Sequence, residues 1–366
     1  MPRPQPAVLK PVPGLRVRIN GQELPPKARM DLLEARMRED VGMVSLFTLQ
    51  FHCWDEPTQD FSWVDDPLFA LGNKLELFLG YVGELTPMGS GEITGLDLDY
   101  AAGAAAVLTV TGQDLGHRLV RRRGTRTFQR MPDSQIVNGI AAAHGLAPDV
   151  SLASSLGSPP TREFVMQSNE SDLEFLNRRA RANGCEVQVE DRKLRFRPMK
   201  TSPAPELTLT AARELVDFCP SVSSTRATQS VEVRGYDPKT CVDPRKANGL
   251  VGRARDAGKP ATFVGMLPKD ALPSGAGART DVIDDQPVAN EAEARWLARV
   301  RLQEQHYATA TGQCVGLPRL RAGMVVRIEG VGTRFSGPWR ITSVTHTFSI
   351  HQGYQTRFTA EGRKRG

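Results

Sequence analysis

"GEITGLDLDY", Gly91 to Tyr100, returns in altered form late in the chain as "GPWRITSVTHTF", Gly337 to Phe348. Ile93-Thr94-Gly95-Leu96 sets against Ile341-Thr342-Ser343-Val344, with a gap of two residues after a shared Ser-Gly, Ser90-Gly91 and Ser336-Gly337. Farther upstream, "GNKLELFLG" (Gly72 to Gly80) runs alongside "GMVVRIEG" (Gly323 to Gly330). Each copy reads as a strand, a Ser-Gly turn and a second strand. The repeat predicts a duplicated β unit, with its two copies far apart in one chain.

Working outward from the first copy, residues 14–115 are almost entirely strand-like. "LRVRING" alternates apolar and polar residues, "NGQELPPK" is a turn, and "SLFTLQFHCW" follows from Ser45. Leu75, Leu77 and Leu79 share one face, answered by Leu96, Leu98 and Tyr100 on the neighbouring strand. "AAVLTVTGQ" closes the set. Many short strands separated by turns predict a small antiparallel barrel or sandwich.

The pattern changes at Gly116. Residues 116–205 read as an α/β unit. One helix starts at Asp133 as N-cap, carries Ile136, Val137 and Ile140, and stops at Gly145. A second opens with a capping box, Ser171 to Glu174, and carries Leu173, Leu176 and Ala180 before Gly184 ends it. The strands "CEVQVE" and "KLRFRP" follow, joined by the turn Asp191-Arg192. Strand character resumes over 206–240 and 306–362, which predicts a second barrel. Between them, 241–305 is an excursion of Gly/Pro-rich loop and a helix capped by Asn290 and Glu293, expected to pack with the α/β unit. Ala292, Trp296 and Val300 form that helix's predicted stripe. The expected fold is therefore β-rich α+β: two similar antiparallel β-barrels with an α/β domain inserted around them.

The 366 residues suffice for two or three domains, and 33 Gly with 26 Pro suit strands joined by turns. A net charge of +6 is too small to imply nucleic acid by itself. The five cysteines are scattered and include no Cys-x-x-Cys, against a disulfide framework or a zinc site. No run approaches the roughly 18 apolar residues of a membrane span. The Pro-rich start, residues 1–13, predicts an extended arm and not a signal peptide, so folding in the cytoplasm is expected.

Catalytic patterns are missing. There is no Gly-x-Ser-x-Gly, phosphate loop or His-Glu-x-x-His. Asp97 and Asp99 alternate with apolar neighbours and read as a solvated strand face; Asp65-Asp66 and Asp284-Asp285 sit in turns. His346 lies on the apolar stripe Val344, His346, Phe348 and reads as a satisfied core histidine, with His351 on the opposite face. No cofactor and no metal is expected, and the chain reads as not an enzyme. The basic run Arg118 to Arg126 and the tail Arg363-Lys364-Arg365 lack the interleaved aromatics of a nucleic-acid surface. Arg121, Arg122, Arg123, Arg363, Lys364 and Arg365 are instead candidate contacts for a protein partner.

The segment "EFVMQSNESDLEFLNRRARANGCEVQVEDRKLRFRP", with the ending "GLPRLRAGMVVRIEGVGTRFSGPWRITSVTHTFSIHQGYQTRF" and the earlier "DPLFALGNKLELFLGY", resembles the phage late-control protein D family. These are baseplate hubs of contractile tails, related to the amino-terminal part of type VI secretion VgrG spikes; the match looks closest to hubs of extracellular contractile injection systems. The resemblance implies a homotrimeric, pseudo-sixfold ring that acts as a symmetry adaptor between a sixfold inner tube and a threefold spike. Two similar barrels in each of three chains give six docking surfaces, because a closed ring repeats each surface once per subunit. It implies as partners a separate trimeric spike protein, a tube or tube-initiator protein and other baseplate proteins, with no membrane and no specific nucleic acid, and residence in a phage tail or injection particle. The spike is expected as a separate chain because the sequence ends at Gly366, just after the second barrel. A hub with an added hydrolytic activity against peptidoglycan, or a nucleic-acid-binding regulator, are the alternatives.

Overall fold

The structure is a computed structural model, and it describes residues 12–101, 105–152, 159, 162–200, 204–222, 230–235, 250–255, 280–284, 288, 291–304 and 306–363. The first lobe consists of β1 (Pro13–Ile19), β2 (Leu32–Asp40), β3 (Leu46–His52), β4 (Lys74–Tyr81), β5 (Glu84–Asp99) and β6 (Val107–Gln113). The α/β unit holds β7 (Arg123–Gln129), helix α1 (Asp133–Ala143), β8 (Ala147–Val150), β9 (Phe164–Ser171), α2 (Asp172–Ala182), β10 (Cys185–Glu190) and β11 (Lys193–Pro198). Then come β12 (Leu207–Thr210), β13 (Leu215–Val222), β14 (Ser230–Gly235), β15 (Leu250–Arg255), β16 (Thr280–Ile283) and α3 (Glu291–Glu304). The chain closes with β17 (His306–Val315), β18 (Val325–Glu329), β19 (Gly337–Ser349) and β20 (Gly353–Arg363).

One 13-stranded sheet runs β13-β17-β20-β19-β2-β3-β6-β5-β4-β1, with β18 and β12 branching from β19 and a two-residue strand, Gln22–Glu23, beyond β1. Each lobe wraps its own core. In the first, Leu75, Leu77 and Leu79 alternate inward on β4 and meet Phe47, Phe51, Phe69 and Ile93. In the second, Val326, Ile328, Trp339, Ile341, Val344 and Phe358 do the same work. The lobes are open parts of one sheet where separate barrels were expected. Among the described residues no ladder closes either lobe, and the outer edge of β2 is taken by β19, Ser343 pairing Asp40 through Ser349 pairing Glu34.

The repeat is exact in register over five strands. β2-β3-β6-β5-β4 of the first lobe corresponds to β13-β17-β20-β19-β18 of the second. Between β5 and β6 a bulge falls between Ile93 and Gly95; between β19 and β20 one falls between Ile341 and Ser343. Both bulges leave a threonine unpaired, and a bulge adds local twist at the same place in each lobe. Gly72 and Gly323 both take positive φ, +91° and +84°. Each donates its N–H to the isoleucine carbonyl beside the bulge, Ile93 and Ile341, at 2.8 Å. The ladder aligns the copies through Gly89 and Gly337 (φ 155° and 145°), so the two-residue gap after the Ser-Gly pairs disappears.

Other expectations change. Leu98 and Tyr100 are exposed, since β5 passes beyond β4 after Glu92 and only β6 remains beside it. β14, expected in the second barrel, pairs instead with β15 and, in parallel, with β16, and its Val231 and Val233 pack against Ala294, Leu297 and Ala298 of α3. On α3, Ala292 is exposed, and the buried face is Glu293, Ala294, Trp296, Leu297, Ala298 and Val300. Asn290 and most of the 241–290 excursion lie outside the described residues. Asp133 is not a cap; it begins α1, after Pro132, and its carboxylate accepts from Arg179 and Asn183. The α2 capping box at Ser171 and Glu174 is complete, and the Asp191-Arg192 turn takes φ of 44° and 68°, as a two-residue hairpin requires.

Candidate functional site

The joint between the lobes is built on β2 and β19. Val41 N donates to Thr342 O at 3.0 Å, and Ile350 N donates to Leu33 O at 3.2 Å. These two bonds fix the phase of the ladder: the odd-numbered residues of β2 turn their backbone polar groups toward β19. Between them Ala35, Met37 and Glu39 are buried on one side chain face, with Val344 and His346 opposite.

Two polar groups sit in this joint. The Glu39 carboxylate accepts from Arg321 Nε at 2.9 Å and Nη2 at 2.5 Å, a bidentate pair whose arginine comes from the turn before β18. Burial pushes the Glu39 carboxyl up, against the pull of the Arg321 guanidinium. His346 is wholly buried. Its Nε2 lies 2.9 Å from Leu320 O and so carries the proton, which leaves Nδ1 as the acceptor facing the hydroxyls of Tyr354 at 2.9 Å and Thr356 at 3.1 Å, one lone pair between the two. Burial, reinforced by Arg321, pushes the imidazole down to about 3. Tyr81 OH of the first lobe donates to Gly316 O of the second at 2.7 Å. This arrangement welds two lobes together; with a neutral, saturated histidine and a paired glutamate, it offers no free acid, base or nucleophile to a substrate. His346 is the satisfied core histidine its stripe predicts, and His351 lies in the turn between β19 and β20, exposed.

The α/β unit is tied to both lobes. Asn177 Nδ2 on α2 donates to Gly42 O at 2.7 Å, and Arg340 on β19 pairs with Glu186 on β10. Trp296 Nε1 on α3 donates to Ala182 O at 3.0 Å.

The basic run is exposed, but most of its guanidinium groups are engaged. Arg121 Nη2 donates to His117 Nε2 at 3.1 Å; Arg123 holds Asn169 O at 2.8 Å and Glu174 at 2.6 Å; Arg126 holds Gln167 and Asp172. Arg123 and Arg126 therefore clamp β7 to the start of α2, which is structural work the sequence did not show. Arg122 is exposed on the turn into β7. Arg363 is the last residue of β20, and Lys364 and Arg365 lie outside the described residues. Among the described residues, Asp97 and Asp99 are exposed, no group of three or more His, Cys, Asp or Glu is placed to hold a metal, and no helix is long and apolar enough to cross a membrane.

Two lobes sharing one sheet, with an α/β unit between them in sequence, define the fold of phage tail proteins. A 43 kDa tail protein of prophage MuSo2 from Shewanella oneidensis superposes with a TM-score of 0.68 at 13% identity, over 95% of this chain and 98% of that one. A tail protein from Neisseria meningitidis MC58 gives 0.65 at 15% identity, over 96% of each chain. An E. coli component of the type VI secretion system, described as structurally similar to the T4 tail proteins gp27 and gp5, gives 0.58 at 19% identity over 94% of this chain and 76% of that one. The chain belongs to the family whose model is described as the Alg8 N-terminal domain, which matches residues 10–349. That description is of a domain and states no activity. Among curated proteins no sequence match was found.

Proposed function

We propose that this chain is a structural baseplate hub of a contractile tail or injection system. Three copies form a ring that meets a sixfold inner tube on one side and a threefold spike on the other. The observation that carries the reading is the duplicated five-strand ladder with its shared bulge after Ile93 and Ile341, since only an internal repeat lets three chains offer six similar surfaces. Each lobe is then the barrel-like unit of a late-control protein D hub, 14–115 for the first and 206–240 with 306–362 for the second. The α/β unit (116–205) and the excursion (241–305) lie between them in sequence. The tail proteins and the type VI component that share the fold supply the setting, and assembly in the bacterial cytoplasm follows from it.

A separate spike trimer and a tube or tube-initiator protein are the partners, and the exposed Arg122 and the basic tail are contacts for one of them. Native mass spectrometry of the purified chain across a concentration series tests the reading. A trimer supports it. A monomer at every concentration, unchanged by added spike protein, ends it.

A further inference from the structure

The ribbon of β7 and β9 is a sheet of two strands by itself, and only one of its edges is covered. Arg130 N donates to Glu163 O at 2.9 Å, just past the pairs Arg126–Gln167 and Phe128–Val165. In an antiparallel ladder this makes Arg126, Phe128 and Arg130 the residues that bond across the ribbon. Thr127 and Gln129 therefore turn their N–H and C=O groups away from β9, and Met166 and Phe164 turn theirs away from β7. On the β9 side the row is taken: Met166 O accepts from Arg178 Nη2 of α2 at 2.6 Å, and the same guanidinium holds the Glu170 carboxylate at 2.9 and 3.0 Å. On the β7 side, among the described residues, nothing bonds to the backbone of Thr127 or Gln129.

The side chains sort the same way. Phe128, Val165 and Gln167 face the α/β core, and the Phe128 ring stacks on Phe175 with centroids 5.5 Å apart. The opposite face carries Thr127 and Gln129, both exposed, beside Met166 and Phe164, 41% and 53% exposed. Free edges are usually guarded against stray pairing by charges along the strand. Here Arg123 and Arg126 are held by Glu174 and Asp172, which leaves the outward row neutral. Arg122 and Arg130 stand exposed at its two ends, about 25 Å apart along an extended strand. Among the described residues no hydrogen bond or ion pair engages either guanidinium.

We propose that the free edge of β7 takes a strand from another protein: an extended segment with apolar residues at alternate positions and a carboxylate at each end, which makes the ribbon three-stranded. Backbone bonds to Thr127 and Gln129 hold the segment, as in other cases of strand addition. Its apolar side chains lie beside the short Thr127 and lean over it onto Met166, while the end carboxylates meet Arg122 and Arg130. The edge is complete within one chain and needs no ring.

The probe is the peptide acetyl-Glu-Glu-Thr-Phe-Thr-Val-Thr-Phe-Glu-Glu-amide, labelled for fluorescence anisotropy and titrated with the full chain. It is expected to bind about tenfold more tightly than its counterpart with lysine for every glutamate. Two further peptides carry N-methyl groups at alternate residues, one in each phase. The phase that blocks the donors facing β7 is expected to lose binding and the other to keep it, since only one set of amides reaches the edge. Thr127→Pro removes an outward N–H without touching the β9 ladder, so the variant is expected to fold by circular dichroism and to lose the peptide, whereas Thr127→Val keeps it. No binding of the parent peptide, equal binding of the lysine counterpart, or binding of both methylated peptides overturns the added strand. So does a thymidine oligonucleotide that displaces the peptide at physiological salt, which makes the edge a phosphate surface. If Thr127→Pro does not fold, the two methylated peptides decide on the unaltered chain. A trimer that binds no peptide leaves the hub standing without this edge, and a monomer that binds it leaves the edge standing without the hub.

Discussion

The two lobes share a ladder but not a core. In the first, Gly91 on β5 leaves room for Phe47 on β3, and a Cβ on Gly91 would come within 3.1 Å of that ring. In the second the sizes are exchanged: Trp339 stands where Gly91 stood, and Ala310 where Phe47 stood. Leu49 opposite Val110 becomes Gly312 opposite Phe358, whose ring lies over the glycine. What persists is the register, the bulge and the positive-φ glycine, while the identity of each core residue drifts as long as summed volume is kept. Backbone geometry is the inherited part of this repeat.

The largest way to break the comparison is to empty either core. Phe47→Ala and Trp339→Ala are each expected to cost about 3–5 kcal/mol in chemical denaturation, with the loss confined to one lobe's protection in hydrogen exchange. Equal loss of protection across both lobes would show that the continuous sheet unfolds as a unit.

Acid comes next, and His346 in the joint carries its destabilising effect. The His346 imidazole is held at about 3 when folded and returns to its ordinary 6.5 when unfolded. The unfolded chain therefore binds the extra proton, so stability is present above 6.5 and is lost as pH falls toward 3. Between pH 7 and 4.5 this group is expected to remove about 2–3 kcal/mol. His346→Leu, which installs the residue of the equivalent first-lobe position, Leu98, should flatten that dependence. It should also lower stability at pH 7 by leaving Leu320 O without its donor. Urea midpoints at the two pH values read both effects.

A smaller change sharpens the exchange of volumes. Gly312→Ala puts a Cβ within 2.4 Å of the Phe358 ring and is expected to cost about 1–3 kcal/mol. Phe358→Val, the first-lobe residue, should recover part of it in a double-mutant cycle. The smallest effect is expected at the bulges. Thr94→Ala removes a hydroxyl contact of 3.5 Å, and Thr342→Ala one of 2.8 Å to the Thr359 hydroxyl, at exposed or half-buried sites; about 0.5 kcal/mol for the first and up to about 1 kcal/mol for the second are expected in thermal melts.

How much of this the sequence shows depends on how local the signal is. The repeat was legible because Ile93-Thr94 and Ile341-Thr342 keep their glycine partners, and the α2 capping box because all its atoms lie within four residues. β2 was invisible: "LLEARMRED" is made of good helix formers, and only its place between β3 and β19 makes it a strand. With it went Glu39 and the joint, whose partner Arg321 is 282 residues away. Asp133 looked like a cap because caps are common, while its true partner Arg179 stands on another helix. The basic run gave its charge but not its engagement, since Asp172 and Glu174 meet it only through the β7–β9 ladder.

β12 lies parallel to β18, whereas β1 lies antiparallel to β4, so the repeat stops at this strand. Parallel and antiparallel edges space their donors and acceptors differently. A partner laid along the five matching strands meets the same footing at every lobe, but one that reaches the sixth meets two kinds in alternation. In the ring proposed above, that strand would be a keyway: it would let a threefold object find its angle on a seat that otherwise has six.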